Sequence, residues 1–309
     1  MNPMGRSRDF ARVVIMGAGA IGSYYGALLS RKVDVLLVGR KAHVDAVKKH
    51  GLKATGEVNG VFSLEAATEL DGVLEETLFI VTTKAHDTEV AVGGVKEFIR
   101  LDTTILVLQN GLGNENIVRA LVEPRVEVVR GLTTGGIEMP APGRIDVRLI
   151  GETVLPRSPA GERIMGLLGS CGIPTRLTDE MDYEVWKKVA MNCVINPLSA
   201  IFRVPDSDIA DESLRAVRES IVEECINVAE EEGVTLESSL ADGITRAASS
   251  YSNVSSMCQD LLKGRRTEID FLNGKVVELG RRHGVPTPVN GVITQLVRFM
   301  EGREWTWRR

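Results

Sequence analysis

An apolar run, ARVVIM at 11–16, empties directly into GAGAIG at 17–22, and few folds tolerate that order of residues. The run suits a buried strand, and Gly17, Gly19 and Gly22 stand at the GxGxxG spacing ahead of the helical pattern SYYGALLS. The first glycine permits a tight turn, the second admits a phosphate close to the backbone, and the third lets helix pack on strand. A pyrophosphate then meets a helix N-terminus. Such a motif is weak alone, but a second strand, VDVLLV at 33–38, follows at the distance of a βαβ unit. The chain is therefore expected to begin with a dinucleotide-binding sheet, in which Gly17, Ala18, Gly19, Ala20, Ile21 and Gly22 surround the phosphates.

The end of the second strand ordinarily supplies an acid for the ribose hydroxyls of NAD, yet this chain reads Val38, Gly39, Arg40, Lys41. Arg40 can pair with a 2′-phosphate through its planar fork, with Lys41 adding a point charge, which predicts NADP over NAD. Alternatively, Arg40 merely opens the next helix in solvent. GLKATGEVNGVFSLEAA suggests a hairpin turning at Asn59 and Gly60. LFIVTT at 78–83 and TTILVLQ at 103–109 read as buried strands that deliver Lys84 and Asn110 to the sheet edge where open α/β sheets bind ligands. Each alone could be an ordinary loop residue; their parallel placement favours ligand contact.

Near Asp179 the texture changes to helical, with long amphipathic stretches at 211–232 and 255–282. The expected organisation is α/β, with a nucleotide domain over 1–179, a helical substrate domain over 180–309, and a cleft between them. In WKKVAMNCVINPLSA, Lys188, Asn192 and Asn196 recur every four residues, so a helix would align them as one polar stripe. Val189, Ala190, Met191, Cys193, Val194 and Ile195 between them are apolar. A helix this hydrophobic belongs in an interior, where a lysine and two amides need partners or a polar ligand. The stripe is expected to wall a site, although a structural network with Lys188 reaching solvent along its stem would give the same pattern. Pro197 is expected to end or kink that helix beside Asn196 and to turn freed backbone groups toward the same pocket.

A chain of 309 residues with 37 basic and 42 acidic side chains has no global positive field, which argues against nucleic acid or anionic membranes as partners. The four cysteines lack CxxC pairing and read as reduced core thiols, and nothing approaches the roughly 20 apolar residues of a membrane span. No metal site is suggested, the cytoplasm is the expected compartment, and a homodimer is allowed without being specified.

Five segments carry a resemblance: GAGAIGSYYG, TTKAH at 82–86, QNGLGNEN at 109–116, KKVAMNCVINPLSA at 187–200 and SSMCQDLLKGRRTEIDFLNG at 255–274. The chain resembles the ketopantoate reductases (2-dehydropantoate 2-reductases) nearly end to end. The resemblance implies a Rossmann-type doubly wound sheet followed by an all-helical domain. It also implies reduction of 2-dehydropantoate to (R)-pantoate by NADPH in pantothenate and coenzyme A biosynthesis. Carried over by position, Lys188 is the general acid, and Glu268 is a second catalytic residue that also lies by the cofactor. Asn110, Asn192, Asn196, Asn253 and Ser256 fall near substrate; Lys84 and Asn110 belong to the nucleotide side. Val189, Met191 and Cys258 are conservative departures. Related enzymes acting on other branched 2-oxo or 3-oxo acids share this framework.

The residue types suit the chemistry. Hydride delivery to a ketone builds negative charge on oxygen, so a proton donor is needed there, and Lys188 can supply it. Apolar neighbours would lower its pKa, while Glu268 would raise it if close, and the sequence leaves that contest open.

Overall fold

The computed structural model describes residues 10–72, 75–250 and 253–303. The chain forms two compact units, one comprising the stretch up to Gln109 together with Gly113–Met181, the other Asn110–Leu112 together with the stretch from Asp182 onward.

The first unit is built on β1 (Arg12–Met16), α1 (Ala20–Leu29), β2 (Asp34–Val38) and α2 (Lys41–His50). A hairpin of β3 (Leu52–Gly56) and β4 (Gly60–Phe62) follows, then β5 (Glu65–Ala67), β6 (Thr77–Val81), α3 (Thr88–Gly93), β7 (Thr104–Val107), α4 (Asn114–Leu121) and β8 (Glu127–Arg130). Six strands form one sheet in the order β5-β2-β1-β6-β7-β8, every pair parallel. Because β1 pairs with β2 on one side and β6 on the other, the chain reverses direction across the sheet at β1. That switch point opens a crevice beyond the carboxyl ends of the strands. Parallel strands are covered on both faces, so alternate residues serve different cores: Val13, Ile15, Leu37 and Ile80 join one, Val14, Met16, Phe79 and Ile105 the other. This is the Rossmann-type architecture.

The unit closes with β9 (Leu132–Thr133), β10 (Gly136–Ala141), β11 (Arg144–Leu149), β12 (Thr153–Pro156), α5 (Pro159–Ser170) and β13 (Thr175–Thr178). β10 and β11 extend the hairpin into a sheet of order β10-β11-β3-β4, while β13-β12-β9 form a third. His43 fastens the hairpin sheet to α2: its Nδ1 accepts the Gly143 N–H at 3.1 Å while Nε2 lies 3.2 Å from Ser23 Oγ.

Among its described residues the second unit has helices and 3-10 turns but no strand: α6 (Met181–Phe202), α7 (Arg215–Glu231), α8 (Leu240–Ser249), α9 (Ser256–Leu262), α10 (Asn273–His283) and α11 (Pro288–Met300). The amphipathic stretch 255–282 is thus not one helix. α9 stops at Leu262, Gly264 takes a positive φ of 62°, and a 3-10 turn at Ile269–Phe271 precedes α10. The stretch 211–232 likewise resolves into short turns and then α7. The buried Glu224 of α7 accepts the N–H groups of Val289 and Asn290 at 2.8 and 2.9 Å, placing a carboxylate on the positive end of α11. All four cysteines are buried free thiols. Among the described residues, no helix is long and apolar enough to cross a membrane.

Candidate active site

The glycine loop divides its labour as the spacing predicts. Gly17 has φ +115°, and a Cβ there would stand 2.4 Å from the Thr83 nitrogen. At Gly22 a Cβ would meet the Gly17 carbonyl at 2.2 Å, whereas at Gly19 nothing lies within 4 Å. Two glycines therefore let backbone pack on backbone, and the third leaves room for a ligand. α1 begins there with no acidic residue in its first turn, and the N–H groups of Ala20, Ile21 and Gly22 have no acceptor within their own helix. An anion such as a pyrophosphate fits this cradle. The N–H groups of Gly17 and Ala18 both donate to the Val38 carbonyl, at 3.0 and 2.9 Å, which ties the loop to the end of β2. Gly39 is equally confined, since a Cβ would fall 2.3 Å from that of Ala18. The next side chain is Arg40, exposed at the start of α2, while Lys41 pairs with Asp45 at 2.9 Å.

Lys84 follows β6 in a loop held by a residue the sequence reading passed over. Buried Gln109 donates to the Thr83 carbonyl at 2.9 Å, Thr83 Oγ1 at 3.0 Å and Thr88 Oγ1 at 2.6 Å. Thr82 also escaped notice; its hydroxyl donates to the Gly17 carbonyl at 2.8 Å, linking the two strand ends.

In the second unit, α6 carries Lys188, Asn192 and Asn196 at half-buried positions, while Val189, Ala190, Cys193, Val194 and Ile195 between them are buried. Asp182 and Glu184 in its first turn complement the helix dipole. Pro197 neither ends the helix nor frees a backbone group toward a ligand: α6 continues to Phe202. The carbonyl that loses its donor belongs to Cys193, and the Asn273 side chain donates to it at 2.9 Å. An amide from a distant segment replaces the missing N–H.

The start of α9 is pinned beside Asn196. Ser255 caps that helix by accepting the Cys258 N–H at 3.2 Å, receives the Ser199 hydroxyl at 2.7 Å and lies 3.4 Å from the Asn196 carbonyl. Buried Ser255 is thus the structural serine, and Ser256 is exposed at the first helical position. Asn253, half-buried, gives its carbonyl to the Asp206 N–H at 2.9 Å. Asp206 had no signal in the sequence. Burial pushes its carboxyl up to about 6, against hydrogen bonds from Ser199 and the Ser255 backbone. It is held more protonated in the folded chain than in the unfolded one, so its contribution to stability is full below about pH 4 and is lost as pH rises through about 6. Replacing Asp206 by Asn should flatten the decline in Tm between those limits, which thermal melts across pH would show; an unchanged slope contradicts this account.

Glu268 is buried, at 8% exposure, immediately before the 3-10 turn. Arg266 pairs with Asp270 at 2.9 Å. Gly111 has φ +90°, and a Cβ there would lie 2.4 Å from the Phe271 carbonyl, which also accepts the Leu112 N–H at 3.0 Å. Asn110 follows the end of β7, as expected, and with Gly111 and Leu112 groups with the second unit, beside the turn after Glu268. The structure gathers Asn110 with the turn after Glu268, Asn196 with the start of α9 that carries Asn253 and Ser256, and Lys188 with Asn192 on the same helical stripe. Gly17 to Gly22, Arg40 and Lys84 share the carboxyl edge of the parallel sheet.

A phosphate cradle at the switch point of a doubly wound sheet, together with a helical unit presenting a lysine and amides, defines a dinucleotide-dependent oxidoreductase. Residues 13–160 match the family described as ketopantoate reductase PanE/ApbA, and residues 180–301 match its C-terminal domain. The chain belongs to the ketopantoate reductase family. It is 33% identical to the 2-dehydropantoate 2-reductase of Pyrococcus horikoshii over 94% of this chain and 97% of that one, and 31% identical to that of Archaeoglobus fulgidus over 94% and 98%. Among solved structures, a PanE/ApbA family ketopantoate reductase from Ralstonia eutropha superposes with TM-score 0.88 at 34% identity, covering 94% of this chain and 98% of that one. D-mandelate dehydrogenase in complex with NADH and anilino(oxo)acetate gives TM-score 0.86 at 28% identity, with the same coverage.

Proposed function

We propose that this protein reduces 2-dehydropantoate to (R)-pantoate with NADPH, a step of pantothenate and coenzyme A biosynthesis carried out in the cytoplasm. The observation that carries the proposal is the half-buried stripe of Lys188, Asn192 and Asn196 set among buried residues of α6, with the start of α9 pinned beside Asn196. The names of the 2-dehydropantoate 2-reductase relatives support the substrate. A nucleotide domain over 1–179 would hold the cofactor and a helical domain over 180–309 the substrate, with Asn110 serving both from the helical unit.

In this reading the first-turn N–H groups of α1 hold the pyrophosphate, Arg40 pairs with the 2′-phosphate, and Lys84, Asn110 and Glu268 contact the cofactor. The nicotinamide supplies the hydride. Lys188 gives a proton from Nζ to the oxygen on which charge develops, a role worth about 10²–10⁴-fold in rate. Asn192, Asn196, Asn253 and Ser256 orient the carboxylate and hydroxyl of the keto acid, and Glu268 accepts a hydrogen bond from a substrate hydroxyl. Asn253→Ala or Ser256→Ala should therefore raise KM for the keto acid and leave NADPH affinity unchanged. An equal loss of NADPH affinity would show that these residues act on the cofactor.

A second reading is reduction of another 2-oxo acid, branched or aryl, favoured by the likeness to D-mandelate dehydrogenase bound to NADH. Steady-state assays of 2-dehydropantoate, 2-oxoisovalerate and an aryl 2-oxo acid separate the two. The highest kcat/KM is expected for 2-dehydropantoate; a higher value for either of the others assigns the protein to the second reading.

A further inference from the structure

Beyond the side chains that would touch substrate, one buried chain of polar groups bears on the same chemistry, and its meaning rests on the site reading above. Asn273 and Asn290 have no exposure and Glu224 is 7% exposed. Asn273 Nδ2 donates to the Cys193 carbonyl and to Asn290 Oδ1, both at 2.9 Å. Asn290 Nδ2 donates to Glu224 Oε2 at 2.7 Å, and the Asn290 backbone N–H reaches the same oxygen at 2.9 Å.

The direction of every bond in this chain is forced. Both Glu224 oxygens accept backbone N–H groups, from Val289 and Asn290, and Oε2 accepts the Asn290 side chain as well, so Asn290 turns its NH₂ toward Glu224 and its oxygen toward Asn273. Asn273 must then present its own NH₂, and the second hydrogen of that group has one acceptor in reach, the carbonyl that Pro197 left without a donor. Reversing either amide would set oxygen against oxygen in a buried site.

The two ends of the Asn273 bond are not arbitrary places. Cys193 lies between Asn192 and Asn196 on α6. Asn273 begins α10, directly after the turn that starts at Glu268 and whose Phe271 carbonyl fixes the loop carrying Asn110. We infer that Asn273 is a positioning residue for the reduction: its amide locks the segment bearing Glu268 and Asn110 to the helix bearing Lys188, in an orientation dictated by Glu224 through Asn290. Pro197 strengthens the lock, because without a helical N–H at that position the Cys193 carbonyl has no competing helical donor. The proline that looks like a helix breaker is in this view the socket of a joint.

The test uses the full-length protein with 2-dehydropantoate and NADPH. Asn273→Ala should lower kcat by about 10²-fold, the scale of a misplacement near 1 Å, while NADPH affinity measured by fluorescence titration stays unchanged. Its Tm should fall as well, since a buried carbonyl loses its donor. The discriminating variant is Pro197→Ala combined with Asn273→Ala, in which the alanine N–H returns to the Cys193 carbonyl and restores helix stability without restoring the lock. Recovery of Tm with turnover still depressed is expected, and this variant serves equally if Asn273→Ala alone does not fold. Turnover that returns together with Tm, or an Asn273→Ala protein with near-normal kcat, would overturn the inference and leave Asn273 a purely stabilising residue. If Lys188→Ala and Glu268→Ala are themselves near normal in the same assay, the site reading fails and this proposal with it.

Discussion

Lys188→Ala should slow turnover by about 10²–10⁴-fold while the affinity for NADPH stays close to that of the unaltered protein. The magnitude follows from giving this side chain a task confined to the developing alkoxide, so that its loss is felt in the transition state and little in the ground state. A half-buried position on α6, rather than a sealed one, is compatible with a group that must reach a ligand. Were Lys188 instead a structural cation, its removal would lower Tm and expression and leave the remaining folded molecules active. Measuring kcat and Tm on the same preparation separates the two outcomes.

Arg40→Asp should narrow or reverse the preference for NADPH over NADH. The residue stands exposed at the end of β2, next to the confined Gly39, with no carboxylate between Val38 and Lys41. Replacing a phosphate partner by a carboxylate removes a charge-assisted, bidentate bond and introduces repulsion, while giving the ribose hydroxyls of NADH an acceptor. The ratio of kcat/KM for the two cofactors is the readout, and the same ratio in the variant as in the parent would refute the role assigned to Arg40.

The nucleotide-binding half was legible because its signals are local. Three glycines at fixed spacing and two short apolar runs specify strand, turn and helix without help from distant residues, and the built loop shows each glycine where the pattern required it. The α6 stripe was legible for the same reason. What the sequence concealed is tertiary. Gln109 reads as a polar residue after a strand, and only the fold reveals that it clamps the loop of Lys84. Ser255 and Asp206 secure the start of α9 through partners from other helices, so no spacing announces them. Pro197 was misread because the local rule sees a lost donor and cannot see an amide 80 residues beyond Cys193 that replaces it. The amphipathic periodicity of 255–282 does not reveal the break at Gly264, where the chain takes a positive φ and leaves Glu268 ahead of a 3-10 turn. The place of Asn110 after a strand was legible, whereas the close approach of Gly111 to Phe271, far along the chain, was not.

The pH dependence of kcat/KM for 2-dehydropantoate, followed by NADPH absorbance in the parent protein and in Lys188→Ala, tests the central claim most directly. The parent should lose activity at high pH as a lysine gives up the proton it must deliver, and that basic limb should be absent from the residual activity of the variant. An alanine variant with near-normal turnover and the same basic limb would mean that the proton comes from another group and that the stripe on α6 is not the acid of this site.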